Sequence, residues 1–167
     1  MEKYTWTRGE YTVTTDITGI DLDKTAKLLL QHSWNAAGRP IEMTKMAFEH
    51  SENFICLHKG EPVGYVRMVT DYVTVAYVTD VNVAADYQGR GLSRFIFECI
   101  MEHPTFSKMR RIILCSPDAR GLYAKFGFVP VAEPQEWMER MTPYGEAYAH
   151  FANTHHELPV EIPQKEK

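Results

Sequence analysis

The stretch VTDVNVAADYQGRGLSRFIFECIMEH, Val78 to His103, changes periodicity halfway. It opens with alternating β-branched residues, passes through Gly89-Arg90-Gly91, and continues with Leu92, Phe95, Ile96, Cys99 and Ile100 at helical spacing. A short apolar stretch, RRIILCS (110–116), follows and reads as a strand buried at a sheet centre. Strand, helix and strand then form a crossover unit with parallel strands. A helix that starts at Gly91 leaves its first N–H groups without intrahelical acceptors, and its dipole places partial positive charge there. Glycine at 89 and 91 lets the backbone curl without interference from a Cβ. The unit is an anion site, most simply for a pyrophosphate.

The rest of the chain supplies a mixed sheet around this unit. Tyr11–Thr15 alternates as a first strand, and Asp21 or Asp23 caps a helix carrying Leu22, Ala26, Leu29 and Leu30. Gly38-Arg39-Pro40 breaks that helix, and IEMTKMAFEHS restarts one with Met43, Met46 and Ala47 as its apolar stripe. NFICLHKGEPVGYVRMVT reads as a hairpin, and VTVAYVTDVNV (73–83) as a long third strand after a bend at Asp71-Tyr72. Past the apolar strand, Ser116 caps a helix with Pro117 at its first position and Gly127 just beyond its end. FGFVPV and EWMERM are strand candidates after it. The predicted order is β-α-α-β-β-β-α-β-α-β(-β): an α/β fold whose mixed, mostly antiparallel sheet carries helices on both faces.

Three phosphate ligands compete for the glycine turn. A nucleotide P-loop needs Lys-Ser/Thr after the glycines, and none is present. A dinucleotide fingerprint needs a third glycine where Arg94 stands, and an early βαβ unit. The third is acyl-coenzyme A, whose pyrophosphate would rest on the same amides.

Two motifs resemble the GNAT superfamily of acetyl-CoA-dependent N-acetyltransferases. The first is V-x-V, a short link and [QR]-x-x-G-x-[GA], here Val81-Asn82-Val83 followed by Gln88-Gly89-Arg90-Gly91-Leu92-Ser93. The second is A-x-x-L-Y-x-x-x-G-F, here Ala119 to Phe128 with Tyr123 as its tyrosine. The chain departs from the pattern at Ser93, where the family has Gly or Ala, and at Ser116, where it often has Asn against the pantetheine arm.

The resemblance implies a GNAT fold with a splayed parallel strand pair, acetyl-CoA as co-substrate and no metal. It implies one acetyltransferase domain over residues 1–141, with 142–167 as an extension, partly disordered or carrying a short helix near Glu146 to Asn153. Pantetheine would pair with the backbone at Val81, Asn82 and Val83, with a main-chain N–H near Val81 on the carbonyl oxygen. The phosphates would meet Gln88, Gly89, Arg90, Gly91, Leu92 and Ser93, and Ser116 would lie by the arm. Tyr123 would serve as general acid to the departing thiolate, the plainer alternative being that it only packs its helix on the sheet.

Relatives that use a strand base carry it at positions matching Tyr77 or Thr79, and neither side chain is a good base near neutral pH. Strand alternation puts Tyr77, Thr79 and Val81 on one face and Asp80 and Asn82 on the other. Asp80 is read as a structural hydrogen-bonder, and the amine proton as leaving through water. Trp34, Asn35, Arg39, Asp71 and Tyr72 are acceptor-site candidates.

A net charge of −4 without a basic block gives no reason to propose nucleic acid, and no apolar run is long enough to span a bilayer. Cys56, Cys99 and Cys115 are isolated and odd in number, as in reduced core thiols, and none carries a nucleophile motif. The expected protein is a cytoplasmic N-acetyltransferase acting on a small-molecule amine by direct attack, with a homodimer as a possible assembly. The rival is a catalytically silent acyl-CoA-binding module.

Overall fold

The structure, a computed structural model, describes residues 2–32, 36 and 38–155. A six-stranded sheet runs in chain order β1 to β6. Its strands are β1 (Thr5–Arg8), β2 (Tyr11–Thr14), β3 (Glu52–His58), β4 (Glu61–Thr70), β5 (Val75–Val83) and β6 (Arg111–Leu114). Every neighbouring pair is antiparallel except β5 and β6, which are parallel across the predicted crossover. The helices are α1 (Leu22–His32), α2 (Ile41–Glu49), α3 (Leu92–Glu102), α4 (Arg120–Ala124) and α5 (Tyr144–Thr154). Among the described residues no helix is long and apolar enough to cross a membrane.

Each sheet face has its own apolar layer. On one, Val13, Phe54, Cys56, Val66, Met68, Ala76 and Val78 meet Phe95, Ile96, Cys99 and Ile100 of α3. On the other, Ile55 and Tyr65 meet Ala26 of α1 and Phe48 of α2. The period-two strands thus send alternate residues into two cores, which is why β3 and β4 read as continuous apolar runs. Asp21 makes the α1 cap, its Oδ1 accepting the Lys24 N–H at 2.9 Å.

The structure corrects the sequence reading in several places. A strand the reading missed, β1, precedes the expected first one and closes a hairpin through Gly9-Glu10. The buried face of α2 is Thr44 and Phe48, with Met43, Met46 and Ala47 only half-buried. The helix after β6 starts at Arg120, so Pro117 lies ahead of it; the Ser116 Oγ accepts the Ala119 N–H at 3.1 Å and shapes the approach instead. Neither FGFVPV nor EWMERM forms a strand. Pro130 and Pro134 lack N–H donors for a ladder. Val129, Met138 and Met141 point to solvent, and the Trp137 ring lies 4.7 Å from the Arg111 guanidinium. Cys56 and Cys99 are buried core thiols, pushed by burial up to about 12, whereas Cys115 is exposed.

Candidate active site

β5 and β6 pair from Val75 opposite Arg111 to Val78 opposite Leu114 and then part. β5 continues to Val83 while the chain beyond Leu114 turns away through Cys115 and Ser116. A cavity of ≈ 280 Å³ fills the gap, with Thr79, Val81 and Asn82 on one side and Ser116, Asp118 and Tyr123 on the other. A second hollow of ≈ 270 Å³ shares Val83, Gln88, Ser93 and Leu122 with it and extends over Gly89 and Gly91.

The parting coincides with a β-bulge. Asn82 pairs with Tyr65 and Thr79 with Arg67, so β5 carries one more residue than β4 over this interval. The bulge holds Asp80 at φ +52°, a left-handed conformation unusual for a residue with a side chain. Simple alternation fails here. Asp80 turns onto the α1–α2 face beside Thr79, and Asn82 follows it, its Nδ2 donating to the Leu28 carbonyl of α1 at 3.3 Å. Val81 and Val83 pack into the α3-side core.

Asp80 is fully buried and sits between two arginines. Arg39, from the α1–α2 connection, donates both terminal nitrogens to its carboxylate at 3.0 and 3.1 Å. Arg67 donates Nε at 2.7 Å and reaches the Ser51 Oγ with one terminal nitrogen at 3.0 Å. Burial alone would push the Asp80 carboxyl up, but the bonds and charges of Arg39 and Arg67 outweigh it and hold the carboxyl below its ordinary range. A carboxylate held this way is a poor proton acceptor, which fits the structural reading of Asp80.

At the glycine turn, Gly89 and Gly91 take φ of +74° and +76°, and a Cβ built on either meets no atom within 4 Å. The space over both is open. Gly91 caps α3, and the first N–H to bond back along the helix is Phe95, to the Gly91 carbonyl at 3.0 Å. Among the described residues the N–H groups of Leu92, Ser93 and Arg94 have no hydrogen-bond acceptor, at the positive end of an 11-residue helix. Replacing Gly91 by Ala places a methyl in that space at a strained φ. We expect it to cost about 1–2 kcal/mol of stability in denaturant titration.

Tyr123 is 6 % exposed, its ring against Phe97 and Phe128 at 5.1 and 6.1 Å between centroids. Burial pushes its phenol up, the Asp118 carboxylate adds to the rise, and a hydrogen bond with Ser116 opposes it. The hydroxyl thus stays protonated well past neutrality. Ser116, Asp118 and Tyr123 meet here because the bend at Ser116 turns the start of α4 back towards β5.

The other candidates divide. Tyr77 and Thr79 line the cavity. Asp71 is a turn-former: its carboxylate accepts the N–H groups of Val73, Thr74 and Val75 at 2.8 to 3.1 Å. Tyr72 donates to Glu52 at 3.1 Å and packs against the α3-side core, so neither it nor Asp71 lines the cavity. Trp34 and Asn35 lie outside the described residues. The Arg90 guanidinium folds away, donating to the Asp86 carbonyl at 2.8 Å and the Tyr11 hydroxyl at 3.3 Å over the Tyr87 ring. Asp118 and Cys115 also line the cavity and were missed, although each adjoins a flagged serine or its strand.

Comparison with known proteins gives a consistent picture. Residues 20–128 match the model of the acetyltransferase (GNAT) family. A Gibberella zeae protein described as a candidate acetyltransferase is 31 % identical over 140 residues, 72 % of this chain and 79 % of its own length. An uncharacterised N-acetyltransferase of Porphyra purpurea is 30 % identical over 97 residues, 54 % of this chain and 56 % of that protein. The crystal structure of a candidate GNAT acetyltransferase from Xanthomonas campestris pv. campestris is 35 % identical and superposes with a TM-score of 0.74, over 82 % of this chain and 96 % of that one.

Proposed function

Because the chain belongs to the acetyltransferase (GNAT) family, we propose that this acyltransferase carries the acetyl group of acetyl-CoA to the primary amine of a small molecule, by direct attack within a ternary complex. One observation carries the reading. The gap between β5 and β6 joins, through shared walls, the open space over a helix N-terminus, with a buried tyrosine on its flank. The two joined spaces run from the gap between the parted strands to the helix N-terminus, which suits a long thioester with a phosphate head.

The residues present fit that co-substrate. The N–H groups of Leu92, Ser93 and Arg94, with the open backbone at Gly89 and Gly91, would hold the pyrophosphate. The β5–β6 ladder ends at Val78, and pantetheine would run alongside β5 near Val81 and Val83 in the manner of an added strand. When bound, acetyl-CoA supplies an activated acyl carbon with a thiolate leaving group.

The chain supplies the rest. Val81 lies in the bulge, and its main-chain N–H would stabilise the negative charge developing on the carbonyl oxygen as a donor fixed in advance. As the amine nitrogen bonds to the acyl carbon and the C–S bond breaks, Tyr123 gives its phenolic proton to the sulfur. The amine's own proton leaves through water, since Tyr77 and Thr79 are weak bases and Asp80 is committed to its arginines.

Free-thiol release from acetyl-CoA across a panel of small amines tests this. We expect turnover with one class of amine and none with amine-free buffer. Release only with protein or peptide N-termini would overturn the small-molecule acceptor.

A further inference from the structure

We propose that the chain pairs with a second copy of itself along the outer edge of β6, and that the stretch from Val129 to Tyr144 is the arm that crosses to it.

The edge comes first. The sheet ends at β1 on one side and at β6 on the other. β1 is guarded, with Thr5, Thr7 and Arg8 exposed along it. β6 is not. After Arg111 it reads Ile112, Ile113 and Leu114, apolar on both faces like a strand with neighbours on either side. Among the described residues its one ladder is to β5, and all three apolar side chains are only half-buried. An apolar edge of this kind is a template for another chain.

The arm is the second observation. Residues 129–146 are exposed without a break. Six large apolar side chains stand exposed there, Val129, Val131, Trp137, Met138, Met141 and Tyr144, against three elsewhere among the described residues. Scattered apolar residues on a surface are ordinary, whereas a run this dense marks an interaction site. Trp137–Met141 has strand-like composition but no ladder in its own chain, and Trp137 already takes extended backbone at φ −90° and ψ 133°. The stretch holds no proline, so it can match the four residues of β6.

Charge identifies the partner. From Ser107 to Leu114 the edge carries Lys108, Arg110 and Arg111 and no acid. The arm carries Glu133, Glu136 and Glu139 against Arg140 alone. All six opposed groups are exposed, and among the described residues none of them makes an ion pair. A basic apolar edge and an acidic apolar arm on one chain make its surface complementary to its own copy. The two features are neighbours, the Trp137 ring lying 4.7 Å from the Arg111 guanidinium. A two-fold axis beside them therefore sets each arm against the other copy's β6 in one closed interface. Arm and edge together offer about the 20–30 residues per side that a stable interface uses.

Sedimentation velocity on the full chain, over about a hundredfold range of protein concentration, tests the pairing without requiring turnover. We expect a dimer that dissociates on dilution and weakens as salt screens its charges. Met138→Glu should weaken it about tenfold or more. That side chain is 95 % exposed in the single chain, so the thermal midpoint of the dilute protein should hold. Reversing the arm (Glu136→Lys with Glu139→Lys) or the edge (Lys108→Glu with Arg110→Glu) should each weaken self-association to a similar degree. Mixing the two reversed proteins should restore it, because each arm then faces an edge of opposite sign in the mixed dimer. Amide hydrogen exchange over 137–141 should slow as concentration rises. A monomer at every concentration, a dimer indifferent to Met138→Glu and to both reversals, or reversed proteins that do not pair on mixing would each overturn the proposal. So would protection of 137–141 that is independent of concentration, since that places the arm on its own β6.

Discussion

Tyr123→Phe is expected to lower kcat for acetyl transfer by roughly 10²-fold or more, the usual contribution of a positioned general acid. The KM for acetyl-CoA should move little. The ring keeps its contacts with Phe97 and Phe128, so the thermal midpoint should not change. This separates the two readings of the tyrosine. If it only packs α4 against the sheet, Phe serves as well and kcat stays. The pH profile gives a second check. A phenol raised by burial and by Asp118 keeps its proton through neutrality and beyond the ordinary tyrosine value of about 10. The alkaline fall in kcat assigned to this acid should therefore come above that value in the wild type and vanish in the Phe variant. A fall at neutral pH that persists in the variant would assign the acid elsewhere.

Asp80→Ala should be the most damaging single change to stability. It strips the one carboxylate from two arginines that are largely buried, and breaking such a pair from one side costs about 3–5 kcal/mol. At roughly 2–4 °C per kcal/mol for a chain of this size, the thermal midpoint should fall by about 6–20 °C. Asp80→Gly isolates the backbone's share. It also loses the ion pairs but tolerates φ +52°, so it should be about 1 kcal/mol less destabilised than Ala. The pH dependence follows from the depressed carboxyl. The stabilisation is complete above the unfolded value of about 3.9 and is lost as pH falls through the lower folded value. The gap between wild type and Asp80→Ala should therefore be full at pH 7 and narrow only in acid below that unfolded value. A gap that closes between pH 7 and 5 would mean that the carboxyl is not held down by Arg39 and Arg67. Loss of kcat in a folded Asp80→Gly protein would tie the network to the aim of the Val81 N–H, since the same residue anchors the bulge.

What could be read from the chain is what depends on neighbours in sequence. The turn at Gly89–Gly91, the amphipathic α3 and the short apolar β6 each show their periodicity within a dozen residues, so the crossover and its helix N-terminus were legible before any contact was known. Tyr123 was legible because it stands in a local motif with Gly127 and Phe128. The misreadings lie where local preference met a tertiary condition. FGFVPV and EWMERM have strand-like composition, but a strand needs a partner ladder, and prolines at 130 and 134 leave gaps in any they would form. Asp71 and Tyr72 precede β5, and the contacts their side chains make, with the turn and with Glu52 and the α3-side core, could not be read from their place in the chain.

The sequence by itself determined the order of elements, the parallel crossover and the helix N-terminus that can receive a phosphate, because those follow from periodicity and glycine placement. Only the tertiary structure decided which way the catalytic strand faces. One extra residue in β5 relative to β4 turns Asp80 onto the face of Thr79 and sends Val81 to the opposite one. It also decided that Arg39, Arg67 and Asp80 form one network, across separations of up to 41 residues. The register of one strand against its neighbour and the meeting of distant charges are set by packing the whole sheet, which no local window of sequence contains.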